Sequence, residues 1–155
     1  MSSTGTGRKF LDKNMEIVPN NIPTGNTPED IEVRTQVIKD FYHEWRLKNP
    51  ESRIYNRNLK DFIYIKGISI HETARHASKR YLSTLAVLQL ESVLSLSHKV
   101  KIVPVENRKS QKDFKSMLIM EYNCIGLGLV RLLVGIKRKG LLKIQYCITA
   151  IDLNE

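Results

Sequence analysis

The sequence predicts an α+β domain in which N-terminal helices pack on a C-terminal antiparallel sheet, a three- to four-stranded meander. Two observations carry this expectation. Apolar residues recur at helical spacing through most of the stretch from Thr27 to Ser97. After Ser97 the period changes to two, and three strand-like runs follow: Lys115 to Cys124, Leu127 to Lys137 and Leu141 to Ile151. Gly126, Gly128 and the Lys139-Gly140 pair supply turn chemistry between those runs.

Met1 to Asn26 is rich in Ser, Thr, Gly, Asn and Pro and reads as a flexible N-terminal arm, leaving residues 27–155 as a single domain. Thr27-Pro28-Glu29-Asp30 is a helix start, with Pro at the first helical position and acids in the first turn. Ile31, Ile38, Phe41, Tyr42 and Trp45 then form a stripe that stops at Asn49-Pro50. We read it as packing surface rather than as a base-stacking platform. Phe62 to Ile65 is a short strand candidate. Ser69 and Glu72 have capping-box spacing and place the next helix start at Ser69, with Ile70, Ala74, Ala77 and Tyr81 as its buried stripe. Ser83 and Thr84 cap a further helix that carries Leu85, Leu88, Val93, Leu94 and Leu96 to about Ser97. Val100 to Val105 is strand-like up to Pro104. In the last strand, alternation sets Ile144, Tyr146, Ile148 and Ala150 toward the core, with Gln145 and Thr149 on the opposite face.

The chain has 155 residues, enough for one domain with a real core, and a net charge of +9. The charge is uneven. Residues 1–60 hold ten Lys/Arg against eight Asp/Glu, a balance of +2, whereas residues 61–155 hold fifteen against eight, a balance of +7. That excess in the folded half points to a polyanionic partner, nucleic acid first. A membrane surface is the weaker alternative, since no basic helix carries a bulky Trp/Phe face. No apolar run is long enough to span a bilayer and the start lacks a signal-peptide pattern, so a cytoplasmic chain is expected. Cys124 and Cys147 lie in apolar runs and read as buried thiols, not as a disulfide framework.

The densest chemistry lies in Ser69 to Tyr81, S-I-H-E-T-A-R-H-A-S-K-R-Y. His71, Arg75 and Lys79 make one i+4 row and Glu72, His76 and Arg80 another. The two His stand five apart, about 140° around a helix, so the pair does not have the spacing of a zinc-binding H-E-x-x-H. No metal or other cofactor is expected. The plain alternative is a solvated face, but the His-Arg-Lys row is denser in cations than solubility needs, and it is expected to face a sheet ending in Thr149. His43 and His98 stand alone and are read as solvent-facing. Gly126-x-Gly128 lacks the third glycine and the following helix of a phosphate loop, and Ser78, Ser83 and Ser95 lack the G-x-S-x-G setting of a hydrolase nucleophile. Lys137-Arg138-Lys139 suits either phosphate contact or protection of a strand edge.

A helix with H-x-x-x-R-H, a Leu-rich second helix, the polar lead-in Lys109-Ser110-Gln111-Lys112, the meander opening Met117-Leu118-Ile119-Met120 and a last strand ending Ile148-Thr149-Ala150 follow in that order. This order resembles the phage and mobile-element branch of the barnase–EndoU–colicin–RelE-like nuclease superfamily, over about Asp61 to Asp152. The resemblance implies a small α+β ribonuclease that cuts RNA without metal, by attack of the 2′-hydroxyl on the adjacent phosphorus. It maps catalytic positions onto His71, Arg75, His76 and Thr149; the chemistry of such a reaction offers His71 or Glu72 as the base and His76 as the acid. Lys79 and Arg80 become substrate-binding candidates, with Lys112 or Lys115 as the basic residue opening the meander. It further implies a toxin or effector of a phage or mobile element, with a neutralising protein as a second partner. The alternatives are a non-catalytic nucleic-acid-binding module and a protein–protein interaction domain.

Overall fold

The computed structural model describes residues 21–107, 111–139 and 143–154, so most of the N-terminal arm, the start of the Lys109–Lys112 lead-in and Gly140 of the Lys139-Gly140 pair fall outside the described residues. Helix α1 (Pro28–Lys48) begins where expected: Thr27 Oγ1 accepts a 3.2 Å hydrogen bond from the Asp30 amide, and Glu29 and Asp30 sit at the positive end of the helix dipole. It ends at Asn49, whose side chain donates to the Trp45 carbonyl at 2.8 Å. Ile38 and Trp45 are buried and Phe41 and Tyr42 pack beside them, so the aromatic stripe is largely core.

The sheet departs from the expected meander. It has six strands in the order β1-β2-β6-β5-β4-β3 and is mixed. β1 (Arg53–Asn56) and β2 (Asp61–Ile65) form an antiparallel hairpin between α1 and the next helix. β2 then pairs in parallel with the last strand, β6 (Lys143–Asn154), through Ile63↔Tyr146, Tyr64↔Cys147 and Ile65↔Ile148. β3 (His98–Val103), β4 (Ser116–Cys124) and β5 (Gly128–Lys139) complete the antiparallel part, with Gly126 and Gly128 at positive φ in the β4–β5 turn. The hairpin is possible because Asn56 organises its turn. Its Oδ1 accepts from the amides of Asn58 and Leu59, and its Nδ2 donates to the carbonyls of Leu94 (2.7 Å) and Ser97 (3.0 Å).

Three helices follow β2: α2 (Gly67–Ala77), α3 (Tyr81–Leu88) and α4 (Leu90–Leu96). The expected capping box is not used. α2 starts two residues earlier, at Gly67, with Lys66 as a cap that makes no side-chain bond, and Ser69 is buried inside the first turn. The expected single Leu-rich helix is two, divided at Gln89 (φ −94, ψ 30). Three of the four stripe residues are as read: Ile70, Ala74 and Ala77 are buried in one core with Ile38, Ile63, Leu118, Leu132, Val134, Ile148 and Ile151, whereas Tyr81 opens α3 and is half-buried. A smaller cluster of Ile22, Leu85 and Leu88 carries the packed region back beyond Asn26. Arg34 secures that segment. It is fully buried, and its guanidinium donates to the carbonyls of Ser78 (2.8 Å), Pro23 (2.9 Å) and Gly25 (2.6 Å).

The face of β6 also differs from simple alternation. Leu133 pairs with Ala150 but Val134 pairs with Ile148, so Thr149 is an extra residue in a bulge. The bulge shifts the phase of the strand beyond it: Ile148, Ile151 and Leu153 face the core, while Ile144 is 53% exposed. β2 leaves β6 at Ile148. Beyond that point no strand lies on this edge of β6 among the described residues, and α2 packs against it.

Candidate functional site

The buried stripe of α2 fixes which side chains it offers outward. With Ile70, Ala74 and Ala77 against the core, His71, Arg75, His76 and Lys79 are exposed and Glu72 is half-buried. α1 packs beside α2 and closes one side of a valley. The valley consists of three adjoining clefts. The largest, about 600 Å³, lies between the C-terminal half of α1 and the start of α2, with Tyr42, Leu47, Pro50 and Ile70 among its walls. It shares Lys39 and His71 with a second cleft of about 510 Å³, which adds Thr35, Glu72, Arg75, Ser78 and Lys79. Glu72 in turn lines a third, of about 210 Å³, together with His76, Gln111, Thr149 and Asp152.

This geometry corrects one expectation. The His71–Arg75–Lys79 row does not face the sheet; it faces α1, where Lys39 adds another cation. The row beside Thr149 is Glu72–His76. A rotation of about 140° between positions 71 and 76 on one helix accounts for the split. The structure therefore brings His71, Arg75 and Lys79 together, with Glu72 on their border, and sets His76 and Thr149 apart. Thr149 is 3% exposed and its hydroxyl donates to the Leu133 carbonyl at 2.9 Å, satisfying a carbonyl at the bulge. Arg80 is the cap of α3, and its carbonyl accepts from the Thr84 hydroxyl at 2.9 Å. Lys112 and Lys115 are exposed and line none of the three clefts, while their neighbour Gln111 is buried and lines the third.

Lys39, His71, Glu72, Arg75 and Lys79 make no side-chain hydrogen bond or ion pair among the described residues. Other arginines are engaged: Arg53 lies 3.8 Å over the Phe62 ring and bridges Glu51, and Arg131 bridges Glu121 at 3.0 Å. The middle cleft thus holds three uncommitted cations around an imidazole and a carboxylate. The Ser78 hydroxyl, also in its wall, is buried without a hydrogen-bond partner among the described residues. Such an arrangement can hold a phosphate through Arg75, Lys39 and Lys79 while His71 and Glu72 exchange protons beside it. Among the described residues no three His, Cys, Asp or Glu converge as a metal site. Sequence reasoning missed Lys39, because its partners come from a helix more than thirty residues away, and missed Asp152 and Gln111 for the same reason.

No protein-family model, curated protein or solved structure matches this chain.

Proposed function

We propose that the protein binds single-stranded RNA along the α2 valley and cleaves it without metal. The observation that carries the reading is the middle cleft, which Lys39, Arg75 and Lys79 line together with His71 and Glu72, none of the five being spent on another group among the described residues. Cleavage by an internal 2′-hydroxyl needs a base, an acid for the leaving oxygen and cations for the charge that builds on the phosphoryl oxygens. Glu72 takes the 2′-hydroxyl proton as the 2′-oxygen bonds to phosphorus. His71, as imidazolium, gives a proton to the 5′-oxygen as its bond to phosphorus breaks. Arg75 spans two phosphoryl oxygens, which lysine cannot do, and Lys39 and Lys79 add point charge. The products are a 2′,3′-cyclic phosphate and a free 5′-hydroxyl. His76 and Thr149 line the neighbouring cleft and stand outside this step.

The test is incubation of the full chain with a single-stranded RNA oligonucleotide in EDTA, reading the termini formed. A cyclic phosphate that His71→Ala and Arg75→Ala abolish is the expected result. Intact RNA at high protein concentration, with salt-sensitive binding retained, would replace the enzyme by a non-catalytic nucleic-acid-binding module. Absence of both would favour a protein–protein interaction domain. As a toxin of a mobile element, the wild-type chain arrests growth of its host on expression and the His71→Ala chain does not; a protein that neutralises it would restore growth.

A further inference from the structure

The first cleft differs from the other two in chemistry. Its walls include a tyrosine ring, Leu47, Pro50 and Ile70 as well as His43 and Arg46, and it shares Lys39 and His71 with the middle cleft. Leu47 is 68% exposed, an apolar side chain left at the cleft with no core to enter. Tyr42 is held in place. Its ring stacks against Trp45 with centroids 6.0 Å apart, its hydroxyl lies 3.4 Å from Ser52 Oγ, and it still lines the cleft. An anchored aromatic wall in a cleft with apolar walls, adjoining a cleft lined by cations, suits a flat and largely apolar ring that carries a phosphate on one side.

We propose that this cleft takes one nucleobase of the bound RNA strand, stacked on Tyr42, while the phosphate beside it lies against Lys39 and His71. This rests on the RNA-binding reading above. The continuity of the two clefts through Lys39 and His71 favours the occupant: an uncharged peptide would fill the apolar walls and leave the cations unpaired, whereas a nucleotide joins an apolar ring to an anion and satisfies both. Stacking on a single aromatic tolerates any base, so the cleft contributes affinity and register more than sequence choice.

The experiment uses the full chain and a fluorescent 2′-O-methyl oligonucleotide, which lacks the attacking hydroxyl, with inorganic polyphosphate as a probe that has charge and no base. Tyr42→Leu keeps apolar volume but loses the ring face. It is expected to bind the oligonucleotide roughly tenfold more weakly, to bind polyphosphate as the wild type does, and to bind a fully abasic strand of the same length as the wild type does. Tyr42→Phe is expected to match the wild type on all three. Unchanged oligonucleotide binding by Tyr42→Leu, alongside weakened binding by Arg75→Ala, would overturn the base cleft and leave the RNA reading standing. Equal loss on polyphosphate would also overturn it, since the change would then be one of fold. If the wild type binds neither probe, both readings fall together.

Discussion

The Thr149 hydroxyl donates to the Leu133 carbonyl at 2.9 Å across the β5–β6 bulge, so a side chain expected to serve chemistry is already committed to the sheet. Removing it should act first on stability. Thr149→Val keeps the volume and loses the bond, which predicts a loss of about 1 kcal/mol with a lower melting temperature, recovered in Thr149→Ser. RNA cleavage by the folded Thr149→Val chain should fall far less than with His71→Ala. Comparable losses in the two variants would return Thr149 to the reacting groups.

The split of the two histidines predicts a pattern of coupling. His71 and Glu72 share the middle cleft and His71 and His76 share none, so a double-mutant cycle on cleavage should be strongly non-additive for His71/Glu72 and close to additive for His71/His76. Single-turnover rates with the three single and two double alanine or glutamine variants, beside the wild type, give both cycles.

Phosphate contact has its own signature. Binding of a single strand weakens with salt at a slope of about −0.7 per phosphate neutralised, so Arg75→Ala and Lys39→Ala should each reduce the slope by about that amount. Arg80→Ala should reduce it less, because Arg80 lines none of the three clefts of the valley. Titrations from low to moderate salt separate these cases.

Arg34 is the residue whose loss the fold should feel most. Replacing it with Met strands three buried or part-buried carbonyls, those of Pro23, Gly25 and Ser78, and predicts a cost of about 3 kcal/mol in denaturant unfolding. The same substitution should make the chain around residues 21–26 a site of rapid limited proteolysis. An unchanged cleavage pattern would mean that Ile22 alone holds the segment.

Lys66 supplies a pH dependence. Its pKa is lowered from the ordinary 10.5, first by desolvation and then by the neighbouring Lys137 ammonium. The unfolded lysine therefore binds its proton more tightly than the folded one, and stability should rise with pH through the interval between the lowered value and 10.5. Lys66→Gln should flatten that rise. Lys66 keeps much of its contact with water, so the effect is a modest one.

Much of the fold was legible because local chemistry decided it. Thr27 capping α1, the Ile70–Ala74–Ala77 stripe and the runs that became β4, β5 and β6 depend on neighbours a few residues away. What was not legible depends on partners far off in sequence. β1 has only four residues, and nothing in Arg53–Asn56 announces that Asn56 will find Leu94 and Ser97. The parallel β2–β6 pairing is invisible to periodicity, which reports faces and not neighbours. A one-residue bulge at Thr149 reverses the face of every later position in β6, so alternation chose Ala150 where the core takes Ile151. For the site, the cationic row itself could be read from i+4 spacing. Which surface it met could not, because α1 and β6 flank α2 on different sides and only the packed fold says which side faces which.

The parallel pairing of β2 with β6 has a consequence for the order in which the molecule is made. Ile63 meets Tyr146 eighty-three positions later, and α2, made directly after β2, rests on the same late strand. A ribosome delivers α1, the hairpin and α2 well before it delivers β6, and contacts across such a gap form late in folding. Until β6 arrives, α2 lacks the support that sets its rotation, and with it the separation of the clefts on its two sides. A nascent chain still tethered to the RNA machinery that is making it therefore carries its cations without the finished valley.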